Sequence, residues 1–247
     1  MHLESVTTRV AQSPLWMPSS RQQSVRSQAG SRMQRPQVTS AAGSTVRRPI
    51  LLIDIMDTVV RDPFYEHMPA FFGMTFQELM EAKHPESWVK FELGHISEQD
   101  LYDNFWRPGA AGVPFDGAAL REHMASRYSL LPGMAELLQR LAAAGYELHA
   151  CSNYPTWWRE VEARLRLGDL LPWTFLSCEG PMRGLRKPDP AAFQAAALHL
   201  GVQPADLLLV DDREVNAQAA RGHGMRAVRF VDTGRLEEEL QAAGLEF

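Results

Sequence analysis

Apolar positions along this chain alternate between two periods. Residues 49–55 form an apolar run broken only by Asp54 near its end, the pattern of a central parallel strand buried on both faces. Residues 132–144 read as a helix with Leu137, Leu138 and Leu141 on one face, closed by Gly145. Residues 146–151 read as a second strand, and Trp157, Val161 and Leu165 then recur at four-residue spacing, which predicts a helix. Residues 173–177 are a third strand. Asp189 caps and Pro190 opens a helix that ends at Gly201, and residues 207–210 and 226–230 are the fourth and fifth strands. Strands alternating with helices predict a parallel sheet covered on both faces, with ligands bound outside the carboxyl ends of the strands.

Residues 61–131 break the alternation. They are rich in aromatics, including Phe64, Tyr65, Trp88, Phe91 and Trp106, and contain helical segments without a convincing strand. They predict a helical cap inserted after the first strand. The core is then residues 49–60 and 132–247, and no repeat of fixed period is visible.

Composition changes the picture at one end. Residues 1–48 hold seven arginines, nine serines and four threonines against a single acid, Glu4, so this segment carries +6 and leaves −11 on a chain whose net charge is −5. It cannot bury enough apolar surface to offset its ordering entropy, so it is expected to be disordered. Arg- and Ser-rich, acid-poor composition without an apolar core is that of an organelle transit peptide, with plastid preferred to mitochondrion and the mature chain starting between residues 35 and 48. The arginines are scattered, unlike the massed block of a nucleic-acid-binding arm. Neither nucleic acid nor membrane is an expected partner: the remaining chain is acidic, and no apolar run approaches the roughly 20 residues of a membrane helix. The only two cysteines, Cys151 and Cys178, lie in apolar stretches and read as buried hydrophobes.

The chemistry collects at strand ends. The first strand runs into Asp54-Ile55-Met56-Asp57-Thr58, the second into Ser152-Asn153, the fourth into Asp211-Asp212, and the loop after the third contains Lys187-Pro188-Asp189. Any one of these acids is equally readable as a helix cap. Together, converging carboxylates would repel one another unless a cation held them, and hard oxygen ligands suit Mg²⁺.

These four motifs, in this order, resemble those of the haloacid dehalogenase superfamily over about residues 49–231. The resemblance implies a Rossmann-like α/β core with an inserted helical cap. It implies Asp54 as the nucleophile that forms an aspartyl-phosphate, Ser152 and Asn153 as phosphoryl-binding groups, and Lys187 as the balancing cation. It places Asp54, the Met56 carbonyl, Asp211 and Asp212 around Mg²⁺. The family has an aspartate two residues after the nucleophile as general acid and base. Methionine stands there in this chain, and Asp57 is the nearest replacement. Stretches 54–64, 71–76, 83–88, 152–157 and 186–190, which include cap residues, are similar to the plant chloroplast flavin mononucleotide (FMN) hydrolases. That similarity implies a small-molecule phosphate ester as partner, FMN foremost, with Trp88, Phe91 and Trp106 as candidate ring contacts. Another plastid phosphate ester and a non-catalytic relative are the alternatives, the latter motivated by Met56. His84 and His95 read as solvated.

Overall fold

The first strand of the core, β3 (Ile50–Ile53), is buried along its whole length because it faces a hydrophobic layer on either side. Leu51 and Ile53 point into one layer with Leu137, Leu141 and Val210, and Ile50 and Leu52 into the other with Phe193, Ala196 and Leu209. This is the two-residue alternation of a strand with both faces covered, and it explains the unbroken apolar run.

A computed structural model describes residues 37–39, 45–110 and 112–247. Gln37–Thr39 (β1) and Thr45–Arg47 (β2) pair antiparallel. These two short strands lie within the segment 1–48 expected to be without structure; the rest of that leader reading, over residues 1–36 and 40–44, lies outside the described residues. After β3 come five helices, α1 (Phe64–Phe71), α2 (Phe76–Ala82), α3 (Ser87–Glu92), α4 (Glu98–Asp103) and α5 (Gly117–Ala125). The alternation resumes with α6 (Met134–Ala143), β4 (Leu148–Ser152), α7 (Trp158–Leu165), β5 (Phe175–Leu176), α8 (Pro190–Leu200), β6 (Leu207–Asp211), α9 (Glu214–Gly222), β7 (Arg226–Arg229) and α10 (Thr233–Ala242).

The sheet has the order β5-β4-β3-β6-β7, with every pair parallel. Leu51 lies opposite Leu148, and Ile53 opposite Val210. The third strand is shorter than its 173–177 pattern predicts, because only Phe175 and Leu176 pair, with Cys151 and Ser152. Helices α9 and α10 complete the core beyond the elements read from the pattern. Both cysteines are buried and free. Among the described residues no helix is long and apolar enough to cross a membrane.

The helical insert is held by its own caps and by the core. Thr75 and Ser97 each accept a backbone N–H three residues on, with Glu78 and Asp100 returning the bond. Toward the core, Ser177 Oγ donates to the Glu92 carbonyl at 2.6 Å and Trp157 Nε1 to Glu98 Oε1 at 2.6 Å. Gly94, at φ +66°, packs so closely on Cys178 that a β-carbon there would overlap the Cys178 carbonyl oxygen.

Candidate active site

Strand β3 ends at the centre of the sheet with β4 and β6 on its two sides, so the chain segments that leave all three converge at one end of the sheet. Asp54 follows β3 and donates its amide to the Val210 carbonyl at 2.8 Å, which extends the strand register by one residue. Asp211 closes β6, and Ser152 closes β4.

Lys187 joins these ends. It is 1% exposed, and its ammonium donates to Asp54 Oδ1 at 2.9 Å, to Asp211 Oδ2 at 2.6 Å and to the Cys151 carbonyl at 2.5 Å. A buried ammonium is tolerated only with all its donors satisfied. Burial works against the Lys187 charge, but the Asp211 and Asp54 carboxylates outweigh it and raise its proton affinity above that of an ordinary lysine. Burial also raises Asp54 above the usual carboxylate range, and Lys187 acts in the opposite sense. The Lys187 loop is fixed by a reciprocal pair: Asn153 Nδ2 donates to the Lys187 carbonyl at 2.8 Å, and the Lys187 amide donates to Asn153 Oδ1 at 2.9 Å. Beyond a cis Lys187-Pro188 bond, Asp189 caps α8 as its position in the sequence suggests.

The carboxylates fit a cation. Asp54, Asp211 and Asp212 each offer an oxygen within 4.8 Å of the others. Asp211 Oδ1 is oriented by Asn216 Nδ2 at 2.8 Å and by the Arg213 amide at 3.0 Å. Burial, then its neighbour Asp211, pushes Asp212 up. The cleft above these groups is small, about 100 Å³, and is lined by five carboxyl side chains (Asp54, Asp57, Asp62, Glu92, Asp212) and three bases (Arg186, Lys187, Arg213). An anionic phosphate entering such a cleft needs further positive charge, and this donor set suits a hard divalent cation. The Ser152 hydroxyl lines this cleft and is buried without a hydrogen-bond partner among the described residues, so its donor is available to a group that enters the cleft.

Both Met56 and Asp57 line this cleft, although successive residues of a strand would face apart. Asp57 has φ +55°, a left-handed conformation that aspartate tolerates better than most residues, and its amide donates to the Val60 carbonyl at 2.7 Å. The tight turn brings the Asp57 side chain round to the site, where Oδ1 accepts the Asp62 amide at 2.9 Å.

The structure thus brings together Asp54, Met56, Asp57, Ser152, Asn153, Lys187, Asp211 and Asp212. It leaves the three aromatic candidates outside the cleft lining. Phe91 is 1% exposed and packs edge-on to Trp157, and Trp88 is buried with its Nε1 on Glu92 Oε1 at 2.6 Å. Trp106 belongs to a cluster with Phe72, Phe105 and Phe115 and donates to the Val113 carbonyl. These rings fill the insert's interior, the usual place of large apolar side chains. The aromatic that does line the cleft is Tyr65, 60% exposed and therefore at its rim, beside Phe64 and Phe76. Asp62, Glu92, Arg186 and Arg213 also line it, and no motif marked them. Asp62 and Arg186 fall inside the quoted stretches 54–64 and 186–190 without a role being assigned to them, while Glu92 and Arg213 lie outside every quoted stretch.

Comparison with known proteins places this geometry. The profile of the haloacid dehalogenase-like hydrolases matches residues 75–224. A protein of Arabidopsis thaliana named flavin mononucleotide hydrolase 1 and described as chloroplastic is 45% identical over 210 residues, 83% of this chain and 83% of that one. A haloacid dehalogenase family enzyme of Bacteroides thetaiotaomicron, solved with magnesium and inorganic phosphate, superposes with a TM-score of 0.63 at 21% identity, over 75% of this chain and 95% of its own. The L-2-haloacid dehalogenase of Xanthobacter autotrophicus does so with a TM-score of 0.54 at 18% identity, over 78% and 82%. At such identities these two structures speak to the fold alone, and one fold hosts several chemistries.

Proposed function

The chain belongs to the haloacid dehalogenase-like hydrolase family, and from that premise we propose that it is a Mg²⁺-dependent phosphatase that splits FMN into riboflavin and phosphate through an aspartyl-phosphate on Asp54. The observation that carries the reading is the buried bridge from Asp54 through Lys187 to Asp211 beneath a small polar cleft. A carboxylate is a weak nucleophile that must be kept ionised and aimed. The Lys187 ammonium on Asp54 Oδ1 aims it and opposes the burial that favours its protonated form, and Oδ2, in a long 3.5 Å contact with the Thr58 hydroxyl, is the oxygen left to attack phosphorus. The Ser152 hydroxyl meets a phosphoryl oxygen, and the Lys187 charge, its three N–H donors already committed, acts on the phosphoryl group through space. Asp54, Asp211 and Asp212 would hold Mg²⁺, with the Met56 carbonyl as a further donor. The ion supplies charge neutralisation for the transferring phosphoryl group.

A cleft of about 100 Å³ receives a phosphate and the first atoms beyond it, not a three-ring flavin. The ring therefore belongs outside, where Tyr65 and Phe76 expose aromatic surface at 5.6 Å centroid separation. Kinship with a protein named for FMN hydrolysis supports the substrate, and the description of that relative as chloroplastic, with the Arg- and Ser-rich leader, supports a plastid location.

The test is phosphate release from FMN with and without Mg²⁺, beside phosphoglycolate, sugar phosphates and flavin-free nucleotides. Selective, Mg²⁺-dependent turnover that disappears in Asp54→Asn is the expected result. A preferred substrate other than FMN by tenfold or more in kcat/KM would move the assignment to that ester, and activity surviving Asp54→Asn would refute the covalent route.

A further inference from the structure

We propose that Asp62 is the general acid and base of this site, taking over the role that Met56 cannot perform. The inference rests on the phosphatase reading above. In an in-line displacement the leaving oxygen departs from the side of phosphorus opposite the attacking atom. Asp54 attacks from the strand ends, so the leaving oxygen moves away from the sheet, toward the residues that the insert contributes. Among the cleft lining these are Asp62, Tyr65 and Glu92.

Of the two carboxyls, Glu92 is committed. Its Oε1 accepts Trp88 Nε1, and Oε2 lies 3.2 Å from Arg186 Nη2. Burial raises the Glu92 carboxyl, but the Arg186 charge and the Trp88 hydrogen bond act against that rise, so both of its oxygens have partners that favour the proton-free form. Asp62 has no ion pair among the described residues. Its Oδ1 is anchored by the Phe64 amide at 2.9 Å as the chain enters α1, and its own amide is held by Asp57 Oδ1. That leaves Oδ2 to carry a proton. Asp57 then acts as a positioning residue that fixes the 57–62 loop.

The surroundings suit an acid near neutral pH. Burial pushes the Asp62 carboxyl up to about 7; the Phe64 amide acts against it, and the acidic Asp57 and Asp212 from the core and Glu92 from α3 add to it. Tyr65, Tyr128 and Tyr154 are the phenols beside it, and Arg213 lies across the cleft. The first half-reaction forms the Asp54 O–P bond and breaks the ester P–O bond. The electron pair stays on the ester oxygen, which takes the Asp62 proton and leaves as the alcohol. In the second half-reaction water attacks phosphorus, the Asp54 O–P bond breaks, and the water's proton returns to the Asp62 carboxylate as phosphate is released.

A general acid matters in proportion to the basicity of the leaving group. We would therefore compare wild type, Asp62→Asn and Asp57→Asn on FMN and glycerol phosphate, whose leaving groups are alkoxides, and on p-nitrophenyl phosphate, whose phenolate needs no proton. Asparagine keeps an acceptor for the Phe64 amide, and Asp62→Glu provides a second variant that keeps the acid. The expected result is a loss of at least about 100-fold in kcat/KM on both alkyl esters and less than about tenfold on p-nitrophenyl phosphate for Asp62→Asn. Partial rescue by Asp62→Glu and loss of the alkaline fall of the FMN profile in Asp62→Asn should accompany it. Equal losses on all three esters, an unchanged alkyl-ester rate, or the leaving-group dependence appearing in Asp57→Asn instead would overturn the assignment. A wild type inert to FMN but active on glycerol phosphate would refute the FMN reading alone and leave the Asp62 comparison intact.

Discussion

At the residue scale, two side chains to which the sequence assigned no role carry consequences that can be measured separately from turnover. Asp62 holds a proton in the folded chain up to about pH 7, whereas an unfolded aspartate releases it near its ordinary value of 3.8. Between those values the folded state binds more protons, so this group's contribution to stability falls as pH rises from about 4 to 7 and is fully unfavourable above. Asp62→Asn removes that penalty. Relative to wild type it should show no gain at pH 4 and a gain of about 2 kcal/mol at pH 8, a figure already reduced for partial solvent access; urea titrations of metal-free protein at the two pH values would read it, and a pH-independent difference would contradict it. Tyr65 is the complementary case, an exposed ring at the cleft rim. Tyr65→Ala should raise KM for FMN about tenfold, the effect of losing roughly 1.4 kcal/mol of ring contact, while glycerol phosphate, which has no ring, keeps its KM. Equal shifts for both esters would mean that Tyr65 acts on the phosphate end.

At the element scale, the insert is placed by α3 and the turn that follows it. Gly94 sits at φ +66° against the Cys178 carbonyl, and Ser177 Oγ holds the Glu92 carbonyl beside it. Gly94→Ala adds both left-handed strain and an overlap with backbone, so it should cost more than about 1 kcal/mol and displace Glu92 and Arg186 from the cleft. A lowered Tm together with a raised KM is expected; a lowered Tm with unchanged KM would show that the insert's position does not set the site. The elements also show what could be read without coordinates. Strands such as β3 and β6 were legible because burial on both faces writes an unbroken apolar run, and the acids at their ends follow from the sheet rule. Asp54, Ser152, Lys187 and Asp211 converge for that reason. The insert was legible only as helices. Period and composition do not tell a ring packed inward, such as Phe91, from one at a rim, such as Tyr65, because both lie in short amphipathic helices whose facing is set by tertiary packing. Asp62 and the cleft-facing turn of Asp57 depend on a left-handed backbone position that the residue type permits without announcing it.

At the scale of the whole molecule, an acidic chain concentrates its charge where it must bind an anion. Beyond residue 48 the net charge is −11, and the cleft itself carries five carboxyls against three bases. Lys187 offsets one of the two charges of the Asp54–Asp211 pair, and Asp212 remains within 4.8 Å of both with burial and repulsion raising its proton affinity. A cation bound there relieves that repulsion only in the folded state, so binding and folding are linked: Mg²⁺ at 100 times its dissociation constant should stabilise the protein by about 2.7 kcal/mol. Screening by salt also weakens repulsion between acids, but it depends on ionic strength and not on the identity of the ion. Thermal melts in MgCl₂ and in NaCl of matched ionic strength separate the two effects. A rise in Tm with Mg²⁺ alone, lost in Asp212→Asn, is the outcome a built cation site requires. Equal shifts in both salts would mean that the acids are merely screened and that Lys187 alone balances the charge of the transferred phosphate.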